Sequence, residues 1–217
     1  MAVLLCIETA TTNCSVALSV NGSVTAFRED PDKNYSHAEQ LHVFIEKVLA
    51  EANIEKASLD AIAVSKGPGS YTGLRIGVSA AKGLCYALDI PLIAVPTLQV
   101  LAAKVERTET VIPMLDARRM EVYAAAYAKG TEVRETRAEI LTDTSFAEYL
   151  SAGKTFFIGS GVEKFKTTCN HPNAEFILDK LPSAKEIAGL AEKKFSDKDF
   201  EDVAYFEPYY LKDFKVG

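Results

Sequence analysis

Lys66-Gly67-Pro68-Gly69-Ser70-Tyr71-Thr72-Gly73-Leu74-Arg75-Ile76-Gly77 is the stretch whose reading decides the fold. The β-branched run before it, residues 60–65, reads as a strand, and the residues after it can only be a helix, so the glycines form a strand-to-helix turn. Pro68 fixes φ between Gly67 and Gly69, two positions that tolerate positive φ or close backbone approach. The Ser70 and Thr72 hydroxyls are placed to cap a helix beginning near Gly73. Such a turn aims backbone amides at one point at the positive end of a helix, which is the build of an anion cradle. Its spacing excludes the familiar versions. A Walker loop needs Gly-Lys five residues after a glycine, and none of these glycines has it. The dinucleotide fingerprint needs glycines at i, i+2 and i+5, whereas these stand at 67, 69, 73 and 77. Pro68 and Thr72 occupy the glycine positions of a Gly-x-Ser-x-Gly elbow, so Ser70 is not placed as a hydrolase nucleophile.

The helix expected over 73–88 carries two apolar stripes. Leu74, Val78, Ala81, Cys85 and Leu88 make one at helical spacing; Gly73, Gly77, Ala80 or Ala81, and Leu84 make a second beside it. One stripe can face a sheet. Gly77 and Gly83 each cost a helix interior about 1 kcal/mol relative to alanine, which suggests that something packs close to the helix backbone. That neighbour is either another part of the same domain or a helix of another chain. The second reading gives an expected interface of Gly73, Leu74, Gly77, Ala80, Ala81 and Leu84, joined by Leu41 and Ile45 of the preceding helix.

Outward from this core, residues 3–9, 14–20 and 23–29 read as a three-strand meander, with Asn21-Gly22 a strong hairpin signal. Ser36 with Glu39 forms a capping box for a helix ending near Asn53. Strand 91–95 and a helix over about 97–105 come after the glycine-loop helix, with Pro91 and Pro96 at the junctions. The order is a mixed sheet with helices on its faces. The second half then begins like the first: strand 111–115, Asp116, a turn at Arg118-Arg119 and strand 121–127 mirror strand 3–7, Glu8, a turn at Thr11-Thr12 and strand 14–20. A third strand near 131–139, a short helix near 144–151, a strand at 155–158 and a helix near 183–195 complete a smaller lobe. The expected lobes are 1–105 and 106–217.

Composition narrows the function. With 217 residues, 48% of them hydrophobic, the chain can bury a sizeable core. The apolar run at Val3 to Ile7 stops at Glu8 and has no basic leader, and nothing approaches the ~20 apolar residues of a membrane span, so a soluble cytoplasmic protein is expected. Cys6, Cys14, Cys85 and Cys169 are scattered without a Cys-x-x-Cys pair and read as reduced core residues. A formal charge of −6 opposes an unaided grip on nucleic acid, whose phosphates are bound by Lys and Arg.

GPGSYTGLRIG, together with VLLCIETATTNCSVAL at 3–18, AVPTLQVLA at 94–102, DARRMEVYAAAY at 116–127 and PYYL at 208–211, resembles the TsaB family, also called YeaZ. The similarity runs in order from residue 3 to about residue 211. The doubled hairpin likewise resembles the actin, sugar-kinase and Hsp70 superfamily (ASKHA), an α/β fold whose two lobes each open with a phosphate-holding β-hairpin. The resemblance implies a non-catalytic subunit required for making threonylcarbamoyladenosine in tRNA, at the adenosine beside the anticodon. It implies TsaD as the transferase and heterodimer partner, TsaE as an ATPase in the larger complex, tRNA contact only through that complex, and a homodimer when TsaD is absent. No cofactor is implied.

The superfamily pattern makes Glu8, Thr11, Thr12, Gly67, Gly69, Ser70 and Asp116 candidates for a vestigial phosphate or nucleotide site. Arg118 stands where that pattern has glycine, which opposes independent ATP hydrolysis. The plain alternative makes Glu8 and Asp116 strand-end carboxylates pointing at water. His37 and His42 are five apart, a helical rotation of roughly 140°, so they do not share a face as metal ligands would. TsaD carries its metal on His-x-x-x-His; the corresponding positions here are Thr97 and Leu101, and His171 is a lone loop histidine. Gly159-Ser160-Gly161 stands where superfamily kinases place an adenosine loop, or is a plain turn. Lys185, Lys193, Lys194, Lys212 and Lys215 make a basic cluster, a solvated face or a minor tRNA contact. The rival class is an enzyme, an ATP-dependent phosphotransferase or a peptidase, and neither a metal pair nor an activated nucleophile is found for the latter.

Overall fold

The computed structural model describes residues 2–30, 37–106 and 108–212. Ser36 and Lys215, and with them the expected capping box and one end of the basic cluster, lie outside the described residues. The chain forms two compact units, residues 1–100 with 182–217, and residues 101–181.

The first unit is built on a five-stranded sheet. Strands β1 (Val3–Glu8), β2 (Cys14–Val20) and β3 (Ser23–Asp30) form the expected antiparallel meander, and β4 (Ala61–Ser65) and β5 (Leu92–Val95) add parallel to β1, in the order β3-β2-β1-β4-β5. Asn21 and Gly22 both have positive φ, 51° and 76°, as their hairpin requires. Side-chain alternation along β1 sorts two cores. Val3, Leu5 and Ile7 pack with helices α1 (His37–Ala52) and α2 (Tyr71–Leu88); Ala2, Leu4 and Cys6 pack with a late helix, residues 184–196. Helix α6 (Ala184–Ser196) presents Ala184, Ile187, Ala188 and Ala191 at helical spacing to that second face. The sequence expectation assigned 106–217 to one lobe. Instead the chain returns, because the strand run of the first sheet is apolar on both faces and α6 is what covers the second.

The 101–181 unit has its own five-stranded sheet, ordered β10-β9-β6-β7-β8. Strands β6 (Thr110–Asp116), β7 (Glu121–Ala128) and β8 (Thr131–Ile140) repeat the meander; β9 (Thr155–Ile158) runs parallel to β6, and β10 (Ala174–Ile177) parallel to β9. Helices α4 (Ala147–Ala152) and α5 (Val162–Lys166) cover one face with an aromatic cluster in which the Phe157 and Phe165 centroids are 4.8 Å apart. The remaining helix, α3 (Thr97–Ala102), is shorter than expected. Elements α5 and β10, of five and four residues, are additional to the sequence reading. No described helix is long and apolar enough to cross a membrane.

Candidate functional site

The glycine loop is occupied by its own chain. Gly67 N donates to Thr97 Oγ1 at 3.0 Å, Ser70 N to Ala10 O at 2.7 Å, and Gly73 N to the capping Ser70 Oγ at 3.3 Å. Helix α2 therefore begins at Tyr71, with Ser70 as its cap and Thr72 already inside it. A side chain at Gly69 would run into Ala10 O, and one at Gly67, whose φ is +112°, would come within 2.6 Å of Tyr209 O. Gly67, Gly69 and Ser70 thus serve close packing of backbone on backbone, with the Gly67 and Ser70 amides already bonded within the chain.

Glu8 overturns both of its sequence readings. It is fully buried, and its Oε1 accepts from Ala10 N at 2.6 Å and from Ser65 Oγ at 2.8 Å. The carboxylate neither faces water nor reaches outward; it closes the β1–β2 turn and ties it to β4. In the same turn Thr9 Oγ1 donates to Gly73 O at 2.8 Å, and Thr11 O accepts from His37 Nε2 at 2.6 Å, while Thr12 is half-buried. Burial pushes the His37 imidazole below its ordinary pKa, so it is neutral at pH 7. His42 is exposed, so the two histidines do face different ways.

Asp116 has a different setting. It is exposed, accepts from Arg118 N at 2.6 Å and pairs with Lys164 Nζ at 2.6 Å. Ser160 Oγ accepts from Asp116 N at 3.1 Å, Gly161 N donates to Met114 O at 3.1 Å, and a side chain at Gly159 would strike Met114 O. Gly159-Ser160-Gly161 is a turn fastened to β6. Among the described lysines of the basic cluster, Lys193 and Lys194 pair with Asp197 and Asp199, and Lys185 lies 4.0 Å from the Phe27 ring centroid. No group of three or more His, Cys, Asp or Glu is placed to hold a metal ion among the described residues.

The expected interface is corrected as well. Leu41, Ile45, Leu74 and Ala81 lie in the core, and Gly73 and Gly77 are buried. A side chain at Gly73 would strike Thr9 O, and one at Gly77 would strike Thr9 Oγ1, so the close neighbour that sequence inferred is the β1–β2 turn of the same chain. Ala80 and Leu84 are half-buried against the same core. What α2 turns outward is another stripe, Thr72, Ser79, Gly83 and Tyr86, at i, i+7, i+11 and i+14, with Ile76 between them half-buried against the core. Among the described residues, and apart from the helix's own backbone, nothing lies within 4 Å of where a Gly83 side chain would begin, and Tyr86 is 86% exposed. At the helix start Tyr71, Thr72, Arg75, Ile76 and Ser79 line a shallow groove of about 410 Å³. Sequence reading missed this stripe because small and polar residues on a helix look like an ordinary wet face; Gly83, a glycine inside the helix, was the one signal there.

Two α/β units, each with a β-hairpin leading a mixed five-stranded sheet, define an actin-like, sugar-kinase-like fold. The same fold is found in component A of the (R)-2-hydroxyglutaryl-CoA dehydratase of Acidaminococcus fermentans, at a TM-score of 0.53 and 10% identity over 92% of this chain and 100% of that one. Residues 32–215 match the family model "TsaD: tRNA N6-adenosine threonylcarbamoyltransferase". YeaZ from Pseudomonas aeruginosa superimposes at a TM-score of 0.85 with 30% identity, covering 97% of this chain and 100% of that chain. The tRNA threonylcarbamoyladenosine biosynthesis protein TsaB of Buchnera aphidicola subsp. Schizaphis graminum is 32% identical over 195 residues, 85% of this chain and 90% of its own length. The chain belongs to the TsaD family of that model and, within it, to the TsaB (YeaZ) proteins.

Proposed function

We propose that this chain serves tRNA threonylcarbamoyladenosine biosynthesis as a subunit that carries no transfer chemistry itself, docking on and activating TsaD while TsaE acts as the ATPase of the complex. The single observation that carries the reading is the occupied glycine loop: its Gly67, Ser70 and Gly73 amides and the Glu8 carboxylate are committed to bonds within the chain. The two positions that correspond to the metal pair of the transferase support it. Thr97 accepts from Gly67 N, and Leu101 is a buried apolar residue. The outward stripe of α2 is the docking face in this reading, since an exposed tyrosine beside an unpacked glycine offers a partner helix close approach. Without TsaD the same face pairs with a second copy, so the two assemblies compete. The charge of −6 leaves tRNA binding to the complex rather than to the lone chain.

Reconstitution tests this. The purified chain alone is expected to give no modified tRNA; adding TsaD, TsaE, ATP and the threonylcarbamoyl adenylate is expected to give modification that falls to background when this chain is left out. Transfer by the isolated chain would overturn the reading.

A further inference from the structure

Residues 201–210 run back over the first unit and touch it at four separate places. Glu201 N donates to Leu92 O at 2.9 Å, covering part of the edge strand β5. Lys82 Nζ, on α2, donates to Ala204 O at 3.2 Å and to Phe206 O at 2.8 Å. Tyr209 N donates to Lys66 O at 2.7 Å, directly above Gly67. The Tyr210 ring lies 5.0 Å from that of Tyr71, the first residue of α2, whose ring also carries the Arg75 guanidinium at 5.3 Å.

Hydrogen bonds, one tilted ring pair and the partly buried Val203 and Phe206 make these contacts, while Tyr205, Tyr209 and Tyr210 stay 85%, 43% and 38% exposed. A segment held this way, with no residue fully buried, opens at a lower free energy than the sheet beneath it. Two of its four attachments, those of Tyr209 and Tyr210, however, fall on one place, the glycine loop and the first turn of α2. Gly67 itself is shaped by the crossing, since any side chain there would press on Tyr209 O.

We propose that residues 201–210 are a releasable strap that sets the order of the glycine loop and of the groove at the start of α2, so that the strap and residues 66–76 open together. The C-terminal segment is thereby coupled to the outward face of α2: Tyr210 holds Tyr71, and Tyr71 and Arg75 line the groove. A partner seated on that groove favours the closed strap, and one that draws the C-terminal segment away loosens the loop. The coupling belongs to the lone chain and does not depend on who the partner is.

Native-state amide exchange on the purified protein tests it. In a chain ending at Glu207, which keeps the Lys82 clasp but lacks Tyr209 and Tyr210, the amides of Gly67, Ser70, Gly73 and Leu74 are expected to exchange about tenfold faster, with those of β1, β2 and residues 111–158 unchanged. Lys82→Met in the full chain loosens the strap without shortening it and is expected to speed the same amides severalfold, which keeps the test intact should the shortened chain not fold. Gly67→Ala is expected to speed exchange less in the shortened chain than in the full one, because the crossing it clashes with is gone. Unchanged protection over 66–76 in the Lys82→Met protein, or loss spread evenly over the whole first unit, would overturn the proposal.

Discussion

The two faces of α2 use glycine for opposite ends. On the inward face Gly73 and Gly77 are buried against Thr9, and the missing side chains let the β1–β2 turn sit on the helix backbone. On the outward face Gly83 meets nothing among the described residues, and Tyr86 beside it is 86% exposed. Helix propensity charges both the same roughly 1 kcal/mol per glycine; only the inward one recovers it within the chain. A glycine in a helix therefore says that something comes close, and the neighbour's address must come from the fold.

The largest expected effect belongs to the inward face. Gly77→Leu must displace the Thr9 side chain and the turn that carries it, overpacking a buried site; a loss of more than about 4 kcal/mol is expected, read as failure to give a cooperative urea transition. Next comes the carboxylate that shapes the same turn. Glu8→Ala leaves the Ala10 amide and the Ser65 hydroxyl buried without their acceptor, and roughly 2–4 kcal/mol of stability should be lost in the same measurement.

A smaller effect separates the inward face by pH. The folded-state pKa of His37 is lowered by burial, so the unfolded chain binds the proton more readily. Stability from this residue is present above the ordinary histidine pKa of about 6.5 and is lost as pH falls through the lower folded value. Urea midpoints are expected to drop from pH 7.5 to pH 5.5, and His37→Gln is expected to flatten that slope.

Much of this architecture was legible in the chain. Residues 3–9, 14–20 and 23–29 announced their strands by apolar patterning, Asn21-Gly22 announced its hairpin, and Ser70 its cap, because each is a local preference. The repeat of hairpins at Glu8 and Asp116 was legible too, but not that Glu8 is buried against Ser65 while Asp116 meets Lys164 at the surface. Those partners stand 57 and 48 residues away, beyond any local pattern. The same distance hid Thr9 from Gly77, and hid the return of α6 to the first sheet. Elements α5 and β10 are too short to establish a period.

The outward face holds the central claim, and one substitution addresses it without disturbing the inward one. Gly83→Leu adds a side chain where the described residues leave open space and replaces the poorer helix former, so the lone protein should gain up to about 1 kcal/mol in stability. Its affinity for TsaD, titrated by calorimetry, is expected to fall about tenfold or more, the cost of overpacking a close helix contact. A Gly83→Leu protein that is folded, stabilised and still binds TsaD as tightly as the native chain would contradict the account.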